Sequence, residues 1–266
     1  SVSGQIRDFG FDEWETIKSS TSGSTEQYDV PKGLYGTSNP GIMTINEMFG
    51  SNLPELFSYT VSPVEGQSGK AAKLQTVYTY MFLNGMDFNA LLGGLVPYVT
   101  AGSLFTGIFK TDMNNTLNST KFGVPFVGEP ATFTGYYKYT PGTTYYNNKN
   151  EVVADKTDEC SIYAVLYEEL LDEENNNIPL NGDYNDPDLY IGSSKRIVMK
   201  AVLEDGTAKS DWTKFSIPFK LLEGKSYDAT KKYYLAIVCS SSAEGDYFMG
   251  APGSTLFIDS FTVTPQ

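Results

Sequence analysis

Histidine is absent from this 266-residue chain, so the groups able to do chemistry are carboxylates, phenols, lysines and hydroxyls. That removes Ser-His-Asp and Cys-His nucleophilic catalysis, imidazole acid–base work and histidine-ligated zinc together. Glycoside hydrolysis is one chemistry that carboxylates alone can run, provided two of them stand roughly 5–10 Å apart across the scissile bond. The 32 Asp and Glu residues contain no spacing that declares such a pair. Glu13, Glu129 and Glu168 are candidates that nothing in the sequence joins.

Sugar recognition asks for something different: flat rings against the apolar side of a pyranose, flanked by polar groups for its hydroxyls. The segment Gly135-Tyr136-Tyr137-Lys138-Tyr139-Thr140-Pro141-Gly142 has the alternation for this. Successive strand side chains point to opposite faces, so Phe133, Gly135, Tyr137 and Tyr139 share a core-facing side. Tyr136 and Lys138 share the other side with Thr132 and Thr134. The same alternation places Tyr163 and Tyr167 on one side of a strand at 160–170, and Trp212 and Lys214 on one side of a strand at 212–219. If these strands are neighbours, the six residues form one aromatic-polar patch on an exposed sheet face. The competing reading is that tyrosines simply decorate a half-buried sheet. Trp14 is expected to pack at a sheet edge.

Asp259 lies in a strand between Phe257 and Phe261 and is read as sharing their face. A buried carboxylate there must be hydrogen-bonded, paired or metal-bound. Loop amides would satisfy it; a structural calcium shared with Asp12 is the sharper alternative, and no cofactor is otherwise required. The acidic run 183–188 carries oxygen ligands at alternate positions but lacks the spacing and terminal Glu of an EF-hand, which favours a solvated turn. Cys160 and Cys239 each sit in strand-like runs; two buried thiols or a disulfide between neighbouring strands both remain open.

The formal charge of −13 and a pI near 4.4 disfavour a polyanion as partner, because tracking phosphates takes clustered Lys and Arg. Nucleic acid is therefore not expected. The uncharged run at 91–109 has the length of a membrane span, but its Gly, Pro and Thr content reads as a loop entering a buried strand. No signal peptide is present, and Ser1 reads as the start of a mature or trimmed chain.

Many short strands must position these groups. Aromatics are 14% of the chain, with 19 Tyr and 16 Phe, which suits strands. Strand patterns occur at 5–9, 71–77, 104–109, 132–139, 160–170, 196–203, 212–219, 233–239 and 256–263, separated by Gly/Pro turns. The unbroken apolar run at 233–239 predicts a central strand. A short helix is expected over 43–49 before Gly50, and an insertion loop with a helical turn over 81–98. An all-β sandwich of jelly-roll type follows, as one domain spanning 1–266.

The order 101–109 (Ala-Gly-Ser-Leu-Phe-Thr-Gly-Ile-Phe), 123–126 (Gly-Val-Pro-Phe) and 135–142 resembles the putative carbohydrate metabolism domain family, whose members are mostly lipoproteins of Bacteroidetes-type bacteria. Phe11 to Trp14, Trp212 to Phe219 and Phe257 to Phe261 extend the resemblance over nearly the whole chain. It implies a jelly roll similar to carbohydrate-binding modules and a carbohydrate partner. It further implies an extracytoplasmic location, at the cell surface or in the periplasm, with membrane contact only through a removed lipid-anchor region. The expected role is a non-catalytic glycan-binding or carbohydrate-metabolism accessory domain, with glycoside hydrolase and protein-binding scaffold as alternatives. Two positions depart from the family pattern. Tyr35 stands where a Trp is expected, and Glu129 stands before Pro130 where a basic residue is common.

Overall fold

Eight strands build two sheets in the computed structural model, which describes residues 7–266. They are β1 (Lys70–Gln75), β2 (Ser103–Phe109), β3 (Pro130–Thr140), β4 (Ser161–Glu168), β5 (Ile197–Val202), β6 (Lys209–Pro218), β7 (Tyr233–Ser240) and β8 (Thr255–Pro265). One sheet has the order β6-β3-β8-β1 and the other β2-β7-β4-β5, and the ladders within both are antiparallel. Strands 6-3-8-1 facing strands 2-7-4-5 is the winding of a jelly roll. Val61–Glu65 extends the first sheet beyond β1, and Tyr35–Thr37 and Thr120–Phe122 both pair with β2. Gln5 and Ile6, the start of the expected N-terminal strand, lie outside the described residues, as does Ser1; Arg7–Asp8 pairs with β8.

The core between the sheets is built around three rings of the first sheet. Phe133, Phe215 and Phe261 form a ring triangle at 5.0, 5.1 and 5.5 Å, with interplanar angles of 72–84°. This edge-to-face geometry is what ring quadrupoles prefer, worth about 0.5–1.5 kcal/mol per pair beyond burial. Leu166, Leu235 and Ile237 of the second sheet are fully buried opposite them. The inward alternation of β3 is as expected: Phe133, Gly135, Tyr137 and Tyr139 are buried, while Tyr136 and Lys138 are not. Gly135 is required by the triangle, since a Cβ there would meet Phe261 at 2.5 Å and Phe215 at 2.7 Å.

β7 is central and apolar throughout because both its faces are covered. Leu235, Ile237 and Cys239 face the sandwich core; Ala236 and Val238 face a second cluster with Phe105, Phe122, Tyr167 and Leu180. The polar segment between β4 and β5 supplies Leu180 and Ile191 to this cluster, so that interruption is a cover for the second sheet. Cys160 and Cys239 are buried free thiols, and burial pushes Cys160 up to about 12. Neither is a thiolate near neutral pH.

Helix α1 runs over Asn39–Phe49, starting four residues before the expected Met43. Its Asn-Pro-Gly start has the composition of a turn, but proline is tolerated in the first helical turn. Asn39, fully buried, holds this start by donating to Val61 O and accepting from the Thr60 and Val61 amides. The 81–98 insertion holds a two-stranded hairpin and the short helix α2 (Phe88–Leu91). The uncharged run 91–109 ends as β2, and among the described residues no helix is long and apolar enough to cross a membrane.

Replacing Gly135 with Ala should overpack the ring triangle and cost about 1–3 kcal/mol. For a chain of this size that lowers Tm by roughly 2–10 °C in scanning calorimetry. An unchanged Tm would mean the three rings do not close over this position.

Candidate functional site

The six expected patch residues divide between the two sheets. Tyr136 pairs with Lys214 of β6 and Asp259 of β8, and Lys138 pairs with Phe257. Trp212 joins them on the outer face of the first sheet, where the Lys138 ammonium lies 5.0 Å from the Trp212 ring and 4.9 Å from the Phe257 ring. Each such cation–π contact is worth about 0.5–1 kcal/mol at an exposed site. Lys138 and Trp212 are thus engaged with each other.

Tyr163 and Tyr167 correct the expectation of one patch, because β4 belongs to the other sheet. Tyr167 is completely buried beneath 170–195, donates its hydroxyl to Phe122 O and carries the Arg196 guanidinium 5.0 Å over its ring. Strand alternation gave the right face of β4 but not what covers it. Tyr163 is half-buried, and its phenol is raised chiefly by burial and further by Asp246 and Tyr190.

Asp12 and Asp259 converge on one turn, between Val61–Glu65 and β1. Asp259, almost fully buried, accepts the Ser68 N–H at 2.9 Å, and exposed Asp12 accepts the Lys70 N–H at 3.1 Å. Loop amides therefore supply partners to both carboxylates. Among the described residues no group of three or more His, Cys, Asp or Glu gathers as a metal cluster. The expected shared face of Phe257, Asp259 and Phe261 is also corrected. Ser260, at φ 53°, inserts an extra residue opposite Gly135, so Phe257 points outward and Phe261 inward. In the acidic run, Asp183 accepts from Asn115 and from the Asn185 amide, which closes a hydrogen-bonded turn.

An open cleft of about 230 Å³ lies at the edge of the second sheet, where α1, 94–101, 109–120 and 240–248 meet. Its walls include Phe49, Phe109 and Phe248, with the hydroxyls of Thr111, Thr116 and Thr120. Asp246 is the one ionisable residue among the described lining residues. Asp246 is exposed at the surface, yet the protein atoms packed around its carboxyl raise it above the ordinary value by desolvation. The Tyr190 hydroxyl, donating at 3.2 Å, opposes that shift. Tyr190 is itself raised, by burial first and then by Asp246, so it stays a neutral donor. Tyr184 stands beside it, 5.1 Å from the Tyr247 ring.

The turn that carries Asp246 is held under strain. Phe248 adopts φ 59° and ψ 37°, a left-handed conformation that a bulky side chain rarely takes and that costs about 1–3 kcal/mol. A buried polar junction offsets it. Asp158 accepts from Ser242 Oγ at 2.6 Å, Ser254 Oγ at 2.7 Å and the Ala251 amide at 2.9 Å, which ties down both ends of 242–254. Ser241 bonds Thr76 Oγ1 at 2.7 Å and accepts from the Gly102 amide at 2.9 Å, linking the same loop to the ends of β1 and β2. Burial raises Asp158 despite these donors.

Sequence reasoning missed this cleft. The available signal was the Ser240-Ser241-Ser242 run directly after the most apolar strand, where hydroxyls at a buried strand end require polar partners. None of the three acids considered for hydrolysis lines the cleft. Glu168 is paired with Lys231 at 3.0 Å, Glu129 holds the Gln266 amide through its carbonyl, and Glu13 is exposed beside Trp14. Tyr35, in place of the expected Trp, is a core residue that stacks on Phe11 and donates to Phe9 O. Trp14 packs at the core margin and donates to Phe11 O.

Fold and site together define a jelly-roll β-sandwich with a loop-built, aromatic and hydroxyl-lined cleft at one sheet edge. The chain belongs to the putative carbohydrate metabolism domain family, whose model matches residues 10–264. Its role is carbohydrate-associated. Two crystal structures are similar over most of the chain. One, a putative glycoside hydrolase from Bacteroides thetaiotaomicron, is 30% identical with a TM-score of 0.75, covering 97% of this chain and 71% of that one. The other, a putative glycoside hydrolase from Bacteroides vulgatus, is 26% identical with a TM-score of 0.70, covering 97% and 98%. A search of curated proteins gives no match.

Replacing Asp158 with Ala strands buried donors and should cost at least about 2 kcal/mol in urea unfolding. A loss below about 0.5 kcal/mol would mean the junction does not hold the loop.

Proposed function

We propose that this domain binds a neutral sugar in the Asp246 cleft and does not hydrolyse it. One observation carries the reading: a single carboxylate stands in a cleft otherwise built of rings, aliphatics and hydroxyls. An ionised carboxylate accepts sugar hydroxyls in charge-assisted hydrogen bonds. Phe49, Phe109 and Phe248 suit the apolar side of a sugar ring, and the volume falls below the about 300–1,000 Å³ of drug-sized pockets, which suits a small ligand. Hydrolysis by the usual route needs a second carboxylate across the scissile bond. The names of the two similar crystal structures favour a hydrolase, and sugar release from a bound glycan is the outcome that would establish it. An extracytoplasmic setting, at the cell surface or in the periplasm and anchored by lipid, belongs to the same proposal and rests on the family resemblance.

Calorimetry against a panel of neutral mono- and oligosaccharides tests the reading. Asp246→Asn should weaken binding at least tenfold, the loss of one charge-assisted hydrogen bond of about 1.5–3 kcal/mol. Trp212→Ala, on the outer sheet face, should leave binding unchanged. The reverse pattern would move the site to Tyr136, Lys138, Trp212 and Lys214.

The pH dependence follows from the raised carboxyl of Asp246. Binding needs the ionised form, so affinity is full above the raised value and falls as pH drops through it, with a midpoint above 3.8. The Asp246→Asn variant should lose this dependence. For stability the sign is opposite: the raised group favours the fold at low pH, and that contribution is lost as pH rises from 3.8 through the folded value. A wild-type midpoint at or below 3.8 would contradict the assignment.

A further inference from the structure

We infer that Tyr184 and Tyr247, an exposed pair of rings beside Asp246, form a second sugar subsite, so that the ligand is at least a disaccharide. This rests on the reading of the cleft as a sugar site and sets the length of its ligand.

The acidic run 183–188 is the motif that the cleft leaves without a use, and its carboxylates serve chiefly to fold it. Asp183 takes the Asn115 side-chain amide at 2.8 Å and the Asn185 N–H at 2.9 Å. Backbone bonds close the base of the loop, from the Asn181 N–H to Leu189 O at 2.8 Å and from the Ile191 N–H to Asn181 O at 2.9 Å. Within it the Tyr190 N–H bonds Asp186 O at 2.9 Å. This backbone holds Tyr184 at the surface, 37% exposed, next to Tyr247, 43% exposed. Their ring centroids are 5.1 Å apart at 33°. Tyr190 stands nearly perpendicular to Tyr184, 6.5 Å away at 85°, and packs against the cluster on the outer face of the second sheet. Rings fixed in this way lose little freedom on binding.

Both segments that carry the pair also line the cleft. Gly182, two residues before Tyr184, is a lining residue pressed against the opposite wall: a Cβ on it would meet Thr120 Oγ1 at 3.0 Å and Leu117 O at 3.2 Å. Tyr247 stands between Asp246 and Phe248, which are lining residues too. Tyr190 closes the group by donating to Asp246 Oδ2 at 3.2 Å. Its phenol is raised by burial first and then by Asp246 and Tyr247, as expected for a ring lying against both. Among the described residues Tyr190 is the one donor to this carboxylate, which leaves Asp246 Oδ1 for a ligand hydroxyl. Asp246 thus belongs at once to the cleft and to the tyrosine group.

A sugar unit that bonds Asp246 from the cleft carries its neighbour toward the ring pair, where flat apolar faces meet phenol hydroxyls. Charge narrows the choice further. The same loop carries Asp186 and Asp188 on a chain of net charge −13, so a uronate or sulfated second unit is disfavoured and a neutral one is accepted.

NMR titration with matched neutral sugars (glucose and cellobiose, mannose and mannobiose, xylose and xylobiose) tests the subsite. The wild type should bind the disaccharide of at least one pair at least tenfold more tightly than its monosaccharide. Tyr184→Ala should abolish that difference and keep wild-type affinity for the monosaccharide. Tyr184→Phe, which retains the flat ring, should preserve most of it. If the alanine variant is destabilised, Tyr184→Leu should show the same selective loss. An equal loss for both sugars in Tyr184→Ala, or no loss, would overturn the subsite. So would a wild-type dimer in sedimentation that Tyr184→Ala makes monomeric, since a second copy would then cover the rings. If Asp246→Asn weakens both sugars while Tyr184→Ala weakens neither, the cleft reading stands and the subsite falls. If Asp246→Asn leaves binding intact while Tyr184→Ala abolishes it, the cleft reading falls and the tyrosine pair stands as the sugar site. If the wild type binds none of these sugars, both fall.

Discussion

A buried carboxylate with hydroxyl partners holds this molecule's functional end together. Asp158, Ser242 and Ser254 lie almost wholly out of water, where an unpartnered polar group costs several kcal/mol. They satisfy one another, and that arrangement closes the loop between β7 and β8 onto the sandwich. Ser241 and Thr76 extend the junction to β1, and Tyr139, in the signature segment of β3, donates to Ser241 O at 2.7 Å. The strained Phe248 and the carboxylate of Asp246 depend on this anchoring. A loop fixed only by exposed backbone bonds would relax Phe248 out of the left-handed region and open the cleft.

The signature segment serves the fold before it serves any ligand. Tyr137 and Tyr139 are core, Gly135 makes room for the phenylalanine triangle, and Gly142 turns the chain tightly past the backbone of 251–252. On its outer side the Lys138 ammonium lies over both Trp212 and Phe257, whose rings meet edge to face, which engages the residues best suited to contact a sugar there. The more open chemistry is at the other sheet's edge, where Asp246 and three wall phenylalanines line one cleft.

The sequence made the architecture legible because a sandwich writes its period into the chain. The inward set on β3, the core-facing Phe215, Ile217 and Phe219, and the central β7 all follow from alternation or its absence. Alternation says which face a residue takes, however, and not which sheet the strand joins or what later covers it. That is why Tyr163 and Tyr167 were grouped with Tyr136 and Trp212, although a cover at 170–195 buries Tyr167. The bulge at Ser260 was invisible for a related reason: no Gly or Asn announced the positive φ that turns Phe261 inward. The cleft was hardest to see, since its walls come from four separate segments and each looks like an ordinary loop or helix alone.

The central claim is that sugar enters the cleft beside Asp246 and not the outer face of the first sheet. Amide chemical-shift mapping during a titration with the tightest-binding neutral sugar tests it directly. The account predicts perturbations at 244–248 and 109–120, with 136–138 and 212–214 unmoved. Shifts confined to Tyr136, Lys138, Trp212 and Lys214 would contradict it.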